Sequence, residues 1–362
     1  AIAHSLFQPS REIPNVTVTG LKLNSSQIEE GDLFIAIPGT KVDGHDFIGD
    51  AINSGAIAVI SNGRDVGRLS VPQIKVANPR RAASIVAAEY YGHPTRDLIV
   101  LGITGTNGKT TTASLLYSIL NNAGHKTAQL GTLGTIADGF IQEATLTTPD
   151  SISLQKTFSK LRDADFSHIV MEVSSHALDQ YRVADVEFDV ALFTNLTPEH
   201  LDYHASIEAY YQAKARLFRM LPLESTAIVN ESDPNGLRMA EETNAPTLTF
   251  SRSNGDSIHF SDLNISISGI HGKIIAGHIT YEIGSNLVGE FNAENILGAV
   301  SVAHALGIEK EMIEDGIKKC SAIPGRMESF PLANGAKAIM DYAHTPDAYE
   351  KVLGTLKEVS LN

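Results

Sequence analysis

Apolar and polar positions along the chain alternate between two textures. Unbroken apolar runs, LIVLGIT, HIVMEVS, DVALFTNL and TAIVNES, read as strands covered on both faces. Between them, apolar residues recur at helical spacing: Leu115, Leu116, Ile119, Leu120 and Ala123 up to Gly124, and the segment SISLQKTFSKLRDA. A third helix follows Ser206, a predicted N-cap, with Ile207, Tyr210, Tyr211, Leu217, Phe218 and Leu221 on one face. With TAQLGTLG as a further strand, the alternation from Asp97 to about Pro324 predicts a doubly wound, mostly parallel sheet. From about Thr247 to Gly289 the period shortens to two, as in SIHFSDLNISISG and KIIAGHITYEIG, which predicts an antiparallel hairpin region. Helices over roughly Ala293 to Leu306 and Glu309 to Cys320 come next.

The flanks differ from this centre. Residues 1–97 predict a small N-terminal α/β unit: GDLFIAIPG and AIAVIS as strands, DFIGDAINSG and NPRRAASIVAAEYYG as helices, and GHPTRD as a linker. After IPGRM, AKAIMDYAHTPDAYEKVLGTLKEV starts a third, Rossmann-like unit that has no room to close a sheet. The predicted class is α/β, divided 1–97, 98–327 and 328–362, the last an incomplete start.

Composition narrows the partners. A net charge of −14 is carried mostly beyond residue 97, where 19 Lys and Arg face 32 Asp and Glu, and no basic stripe suited to nucleic acid is visible. No apolar run approaches the ~20 residues of a membrane span, and the start AIAHSLFQPSREIP lacks a signal-peptide core, so no stable membrane insertion and a cytoplasmic location are expected. The single cysteine, Cys320, reads as a small core residue in a reducing compartment.

The segment GITGTNGKTTTASLL is the strongest chemical signal. It places a glycine-rich turn, Gly105 to Gly108, between a buried strand and a helix, where unpaired backbone N–H groups and the helix dipole favour an anion. Lys109 would reach the outer phosphates and the Thr110 hydroxyl a magnesium ion, making this a P-loop-type ATP or GTP site. The strict pattern needs a glycine where Ile103 stands, so TGTNGKT is a variant of it. Polar residues at strand ends gain weight in such a sheet. Glu172 closes HIVMEV and could hold the metal opposite Thr110, although an acid there is often an ordinary strand end. His200 follows DVALFTNL, and a lone loop histidine is usually structural. Lys214 falls within the apolar face of its helix; most such lysines snorkel, but burial would favour the neutral amine, which can take up carbon dioxide as a carbamate.

These segments together resemble the Mur ligases, ATP-dependent amide-forming enzymes of cell-wall synthesis, over almost the whole chain. TGTNGKTT, from Thr104 to Thr110 and on, resembles their ATP loop; MEVSSHALDQYR the segment with the magnesium glutamate, Glu172; NLTPEHLDYH that with the metal histidine, His200; and YYQAKARLF that with the carbamylated lysine, Lys214. GEFNAENILGA resembles the adenine-binding stretch with Asn292 and Asn295, while IPGRME and DYAHTPDA resemble the junction where Arg326, Asp341 and His344 face the nucleotide. Thr147, Thr148, Ser174, Gln180 and Arg182, with Leu23 and Ser25 of LNSSQIEEGDLFIAIPG, resemble the contacts of the member that adds the third residue of the stem peptide. Asn24 and Ser26 replace the charged residues commonly flanking Ser25 in that family.

The resemblance implies a UDP-MurNAc-binding first domain, a central ATP-binding domain, and the start of an amino-acid-binding domain. It implies a monomer using UDP-MurNAc-dipeptide, ATP, Mg2+ and a diamino acid, lysine or meso-diaminopimelate, with N6-carboxylysine at Lys214. Catalytic roles fall to Lys109, Lys214 and His200, and metal binding to Thr110, Glu172, His200 and Lys214. Competing readings are a sister Mur ligase, a folylpolyglutamate synthetase, which lacks the first domain, a P-loop kinase or GTPase, and a noncatalytic UDP-sugar module. No guanine-reading NKxD-type motif is present to favour a switch GTPase.

Overall fold

The computed structural model describes residues 7–8, 16–39, 42–142, 146–252, 257–320, 322–334, 336–344 and 346–360. Most of AIAHSLFQPSREIP, on which the reading of the N-terminus rests, lies outside the described residues. By its contacts the chain falls into two compact units: residues 1–94 with 149–160 and 179–186, and residues 95–148 with 161–178 and 187–362.

The first unit holds strands β1 (Phe7–Gln8), β2 (Gly20–Lys22), β3 (Asp32–Ile35), β4 (Ala58–Ser61) and β5 (Gln73–Val76) in the order β1-β5-β4-β3-β2. β2 to β5 pair in parallel, and β1 joins β5 antiparallel. The helices expected from the apolar spacing are α1 (Ile48–Asn53) and α2 (Pro79–Tyr90), the latter started by Asn78, whose side chain accepts from the N–H groups of Arg80 and Arg81. The later segments join this unit through side chains that local periodicity cannot see. Ile152 packs in the same core as Leu21, Leu33, Ile35 and Ile60, and Arg81 pairs with Asp185.

The second unit is built on an eight-stranded sheet. Its strands are β6 (Ile99–Thr104), β7 (Thr127–Gly131), β8 (Gly134–Ala137), β9 (Phe140–Gln142), β10 (His168–Glu172), β11 (Val190–Phe193), β12 (Thr226–Asn230) and β13 (Thr247–Phe250). Their order is β13-β12-β11-β6-β10-β7-β8-β9, parallel from β13 through β7 and antiparallel at β8 and β9. β13 corrects the sequence reading: its alternating texture reflects a half-buried edge strand, and it pairs in parallel with β12. The antiparallel region begins later, as β14 (His259–Ser266), β15 (Gly269–Ala276) and β16 (Ile279–Ser285).

The helices that follow in the chain are α3 (Lys109–Asn122), α4 (Ser151–Asp163), α5 (Ser175–Asp179), α6 (Leu201–His204), α7 (Ile207–Arg219), α8 (Gly236–Ala240), α9 (Glu290–Ala305) and α10 (Lys310–Lys319), with residues 151–160 of α4 and Asp179 of α5 grouped with the first unit. β17 (Glu328–Pro331), β18 (Lys337–Met340) and α11 (Pro346–Ser360) end the chain and group with this unit by contacts. Among the described residues, no helix is long and apolar enough to cross a membrane.

A large apolar cluster runs through this unit. Leu115, Leu116, Ile119 and Leu120 of α3 pack against Ile296, Leu297 and Val300 of α9, and Ile313 and Ile317 of α10. α3 and α10 approach so closely that a Cβ on Gly316 would stand 2.5 Å from the Ile119 Cα. Gly316→Ala is therefore expected to push the helices apart and cost about 1–3 kcal/mol, read as a lower urea midpoint.

Candidate active site

The strand ends of β6, β10 and β11 converge on one cavity of about 590 Å3, lined by residues including Thr106 to Thr111, Thr132, Thr147, Glu172, Ser174, Asn195, Glu199, His200, Asn295, Arg326, Asp341 and His344. Fully buried Thr104 ends β6, and the chain turns at once into the glycine loop. Gly105 has φ +149°, and a Cβ there would lie 1.9 Å from the Thr194 hydroxyl, so only glycine passes this point.

The loop is stitched to the chain leaving β11. Thr106 donates its N–H to the Asn195 carbonyl at 2.9 Å, and Asn107 donates its N–H to Asn195 Oδ1 at 2.9 Å. The Thr194 hydroxyl donates to the Asn107 carbonyl at 2.7 Å, and Thr197 N–H to the Thr106 hydroxyl at 3.0 Å. Gly108 then serves as the N-cap of α3 with no side-chain cap bond, leaving the first-turn N–H groups for an anion.

Two lysines meet on this loop. Lys109 donates to the carbonyls of Gly105 at 2.8 Å and Thr106 at 2.7 Å, and Lys214 donates to the same Gly105 oxygen at 2.7 Å. Lys214 is 1% exposed, and its ammonium lies 4.3 Å from the centre of the Tyr210 ring. α7 places it there because Ser206 caps the helix, and Tyr210, Tyr211, Leu217 and Phe218 bury the same face; Ile207, expected on that face, is exposed in the first turn. Burial pushes the Lys214 amine well below its ordinary range, and the charge of Lys109 pushes it further. Lys109 is also lowered by burial, with Glu172 and Glu199 opposing.

Glu172 is 1% exposed at the end of β10. Its Oε2 accepts from the hydroxyls of Thr110 at 3.0 Å and Thr132 at 3.1 Å, and its Oε1 from Thr132 N–H at 2.8 Å. Arg326 donates to the Thr110 hydroxyl at 3.1 Å. The Thr148 hydroxyl donates to the Glu172 carbonyl at 2.8 Å and accepts from Ser174 N–H at 3.1 Å.

His200 stands at φ +56° before α6, its ring edge-on to His176 with centroids 4.8 Å apart, and burial pushes its pKa down. His204 hydrogen-bonds Ser175 at 2.9 Å. Glu199, which the motif reading did not single out, lies 3.9 Å from His200 Nε2 and 3.7 Å from His344 Nε2. Asn195 and Thr132 were missed as well; the signal available for each was its place just past a strand.

Asn295 donates to Asn292 Oδ1 at 3.0 Å, and Asn292 to the Val288 carbonyl at 2.8 Å, so α9 presents this buried pair as one unit. Asp341 accepts from the N–H groups of Met327 and Ala343, both at 2.8 Å, and shapes the junction beside Arg326; His344 is largely exposed.

The remaining expected substrate contacts belong to the first unit. Leu23 is partly buried against its core, and Gln180 accepts from Arg182 at 2.8 Å and Arg80 at 3.3 Å. Ser25 opens a short 3-10 turn capped by Asn24, whose Oδ1 accepts from the N–H and hydroxyl of Ser26, so a neutral pair stands where the resemblance suggested charges.

The oxygen donors suit a hard cation: Thr110 and Glu172 together offer a hydroxyl and a carboxylate at the phosphate loop. Among the described residues, no three His, Cys, Asp or Glu side chains are grouped to cage a metal unaided. Magnesium uses few carboxylates and takes its other ligands from phosphates and water.

Residues 103–303 match the model of the Mur ligase middle domain, and residues 17–91 that of the Mur ligase family catalytic domain. A UDP-N-acetylmuramoyl-L-alanyl-D-glutamate–2,6-diaminopimelate ligase of Geobacter sulfurreducens is 40% identical over 349 residues, which cover 95% of this chain and 69% of the relative. The enzyme of the same name from Gloeobacter violaceus is 41% identical over 95% of this chain and 70% of its own length. A solved structure of a ligase of that name superposes with a TM-score of 0.80 at 29% identity, covering 94% of this chain and 70% of the other. The phosphate loop, the strand-end carboxylate and the buried lysine thus sit in a chain that belongs to the Mur ligase family.

Proposed function

We propose that the protein is the ATP-dependent ligase joining a diamino acid to UDP-N-acetylmuramoyl-L-alanyl-D-glutamate in peptidoglycan synthesis. The grouping of Lys109, Thr110, Glu172 and His200 around one cavity, with buried Lys214 bonded to the Gly105 carbonyl of the same loop, carries the reading. The names of the Geobacter and Gloeobacter relatives favour 2,6-diaminopimelate as the amine. We further assign residues 1–97 to the UDP-muramoyl group, 98–327 to ATP and 328–362 to the start of the amino-acid domain, in a cytoplasmic, monomeric enzyme.

The substrate's terminal carboxylate attacks the γ-phosphorus of ATP; a P–O bond forms to the carboxylate, the bond to the β-phosphate oxygen breaks, and ADP leaves. The amine then attacks the acyl carbon, a C–N bond replaces the C–O bond, phosphate departs, and the amine proton passes to solvent or base. Such transfer rests on positioning and charge neutralisation. Lys109 and the loop N–H groups hold the phosphates, and the helix N-terminus adds its dipole. Thr110, Glu172 and His200 would hold divalent ions, which when bound neutralise charge on the phosphates and the attacking carboxylate. We assign Asn292 and Asn295 to the base, Arg326, Asp341 and His344 to the rest of the nucleotide, and Leu23, Ser25, Thr147, Thr148, Ser174, Gln180 and Arg182 each to the sugar-peptide.

Lys214 has the environment for carbamylation. Its neutral nitrogen, favoured by burial, adds to the carbon of CO2 and releases one proton, giving a carboxylate that would share the metal with His200. The change places a negative charge beside the Lys109 ammonium.

Three measurements check this account. The complete protein given UDP-MurNAc-L-Ala-D-Glu, ATP and 2,6-diaminopimelate should release phosphate and yield a product heavier by one diaminopimelate residue; no mass gain refutes the assignment. Lys109→Ala should lower ATP hydrolysis at least about 100-fold with circular dichroism unchanged. Lys214→Ala should lose activity on a similar scale and regain part of it with formate or acetate, whereas wild-type rates would rule out a role for the amine.

A further inference from the structure

Thr132 touches both Glu172 and Thr147. It follows β7, and it meets Glu172 twice: its N–H binds Oε1 at 2.8 Å and its hydroxyl binds Oε2 at 3.1 Å. A carboxylate held at both oxygens by one residue has a single orientation, and here Oε2 also faces Thr110 at 3.0 Å. The Thr132 hydroxyl has a second neighbour, the Thr147 hydroxyl at 3.4 Å.

Proton count sets the direction of this chain. A hydroxyl carries one proton, and a carboxylate can only accept, so Thr132 gives its proton to Glu172 and is left to accept from Thr147. Thr147 in turn has one proton to give. An acceptor on an incoming ligand competes for it, and a donor on that ligand reinforces it; either way the change passes through Thr132 to Oε2, since linked hydrogen bonds polarise one another. Thr148 adds a parallel backbone link, donating to the Glu172 carbonyl at 2.8 Å.

We infer that Thr132 is a positioning residue that fixes the Glu172 carboxylate for the divalent ion and, through Thr147, couples that grip to occupancy of the peptide-acid subsite. The coupling half rests on the function proposed above, while the positioning half rests on the geometry of Glu172.

Manganese, followed by electron paramagnetic resonance, probes both halves in the complete protein with ADP present, with and without UDP-MurNAc-L-Ala-D-Glu. The wild type should bind Mn2+ more tightly when the dipeptide is present. Thr132→Val keeps the N–H and the shape but removes the hydroxyl. It should weaken Mn2+ about tenfold, the scale of a hydrogen bond to a charged group, and abolish the response to dipeptide. Thr132→Ser should restore both. Mn2+ binding by Thr132→Val at the wild-type level, or equal losses in the Val and Ser variants, overturns the positioning role. If the wild type takes up the dipeptide by calorimetry yet Thr132→Val keeps its manganese response, the coupling alone fails. If the wild type takes up no dipeptide, the substrate reading fails and the coupling with it, while the Mn2+ affinities still decide the positioning role.

Discussion

The carbonyl oxygen of Gly105 is the point on which the site is assembled. It accepts from Lys109 and from Lys214, two amines brought from different helices onto one backbone oxygen. Two ammonium groups that close, largely removed from water, repel strongly, and the protein meets this with Glu199 and Glu172 nearby and with a depressed pKa for each amine. The arrangement is possible because the loop cannot shift: residues 194–197 bind it from behind, and the Thr194 hydroxyl occupies the space any side chain at position 105 would need. A rigid backbone thus fixes the positions of two otherwise flexible lysine nitrogens.

This explains how a chain of net charge −14 handles polyphosphate. The cations lining its cavity are few: Lys109, Arg252, Arg326 and Lys351. Selectivity must then come from shape and from the oxygen donors around Thr110, since a diffuse basic field would attract any polyanion.

Much of this was legible in the sequence where the signal is local. The strand, glycine turn and helix around Lys109 are specified by residues adjacent in the chain, and Lys214 stood out because a charge interrupted a helical apolar stripe. What depends on tertiary direction was not legible. Period two does not tell a parallel edge strand from a hairpin, so β13 was misplaced. Residues 149–160 and 179–186 join the first unit through Ile152 and Asp185, whose partners are far off in sequence. Thr132 looks like an ordinary turn residue until β10 is laid beside β7, and Glu199 carries no mark in LTPEHL that its side chain reaches both His200 and His344.

The bond from Arg326 to the Thr110 hydroxyl has a consequence for traffic into the cavity. That oxygen has two lone pairs, and one already faces a guanidinium. Any cation approaching that oxygen would meet a positive charge already in place. Arg326 is followed directly by Met327, held in the left-handed region at φ +48° and pinned by Asp341, so the turn leading to β17 sets where the guanidinium can reach. The charge beside Thr110 and the path by which the chain leaves the cavity are therefore fixed by two adjacent residues.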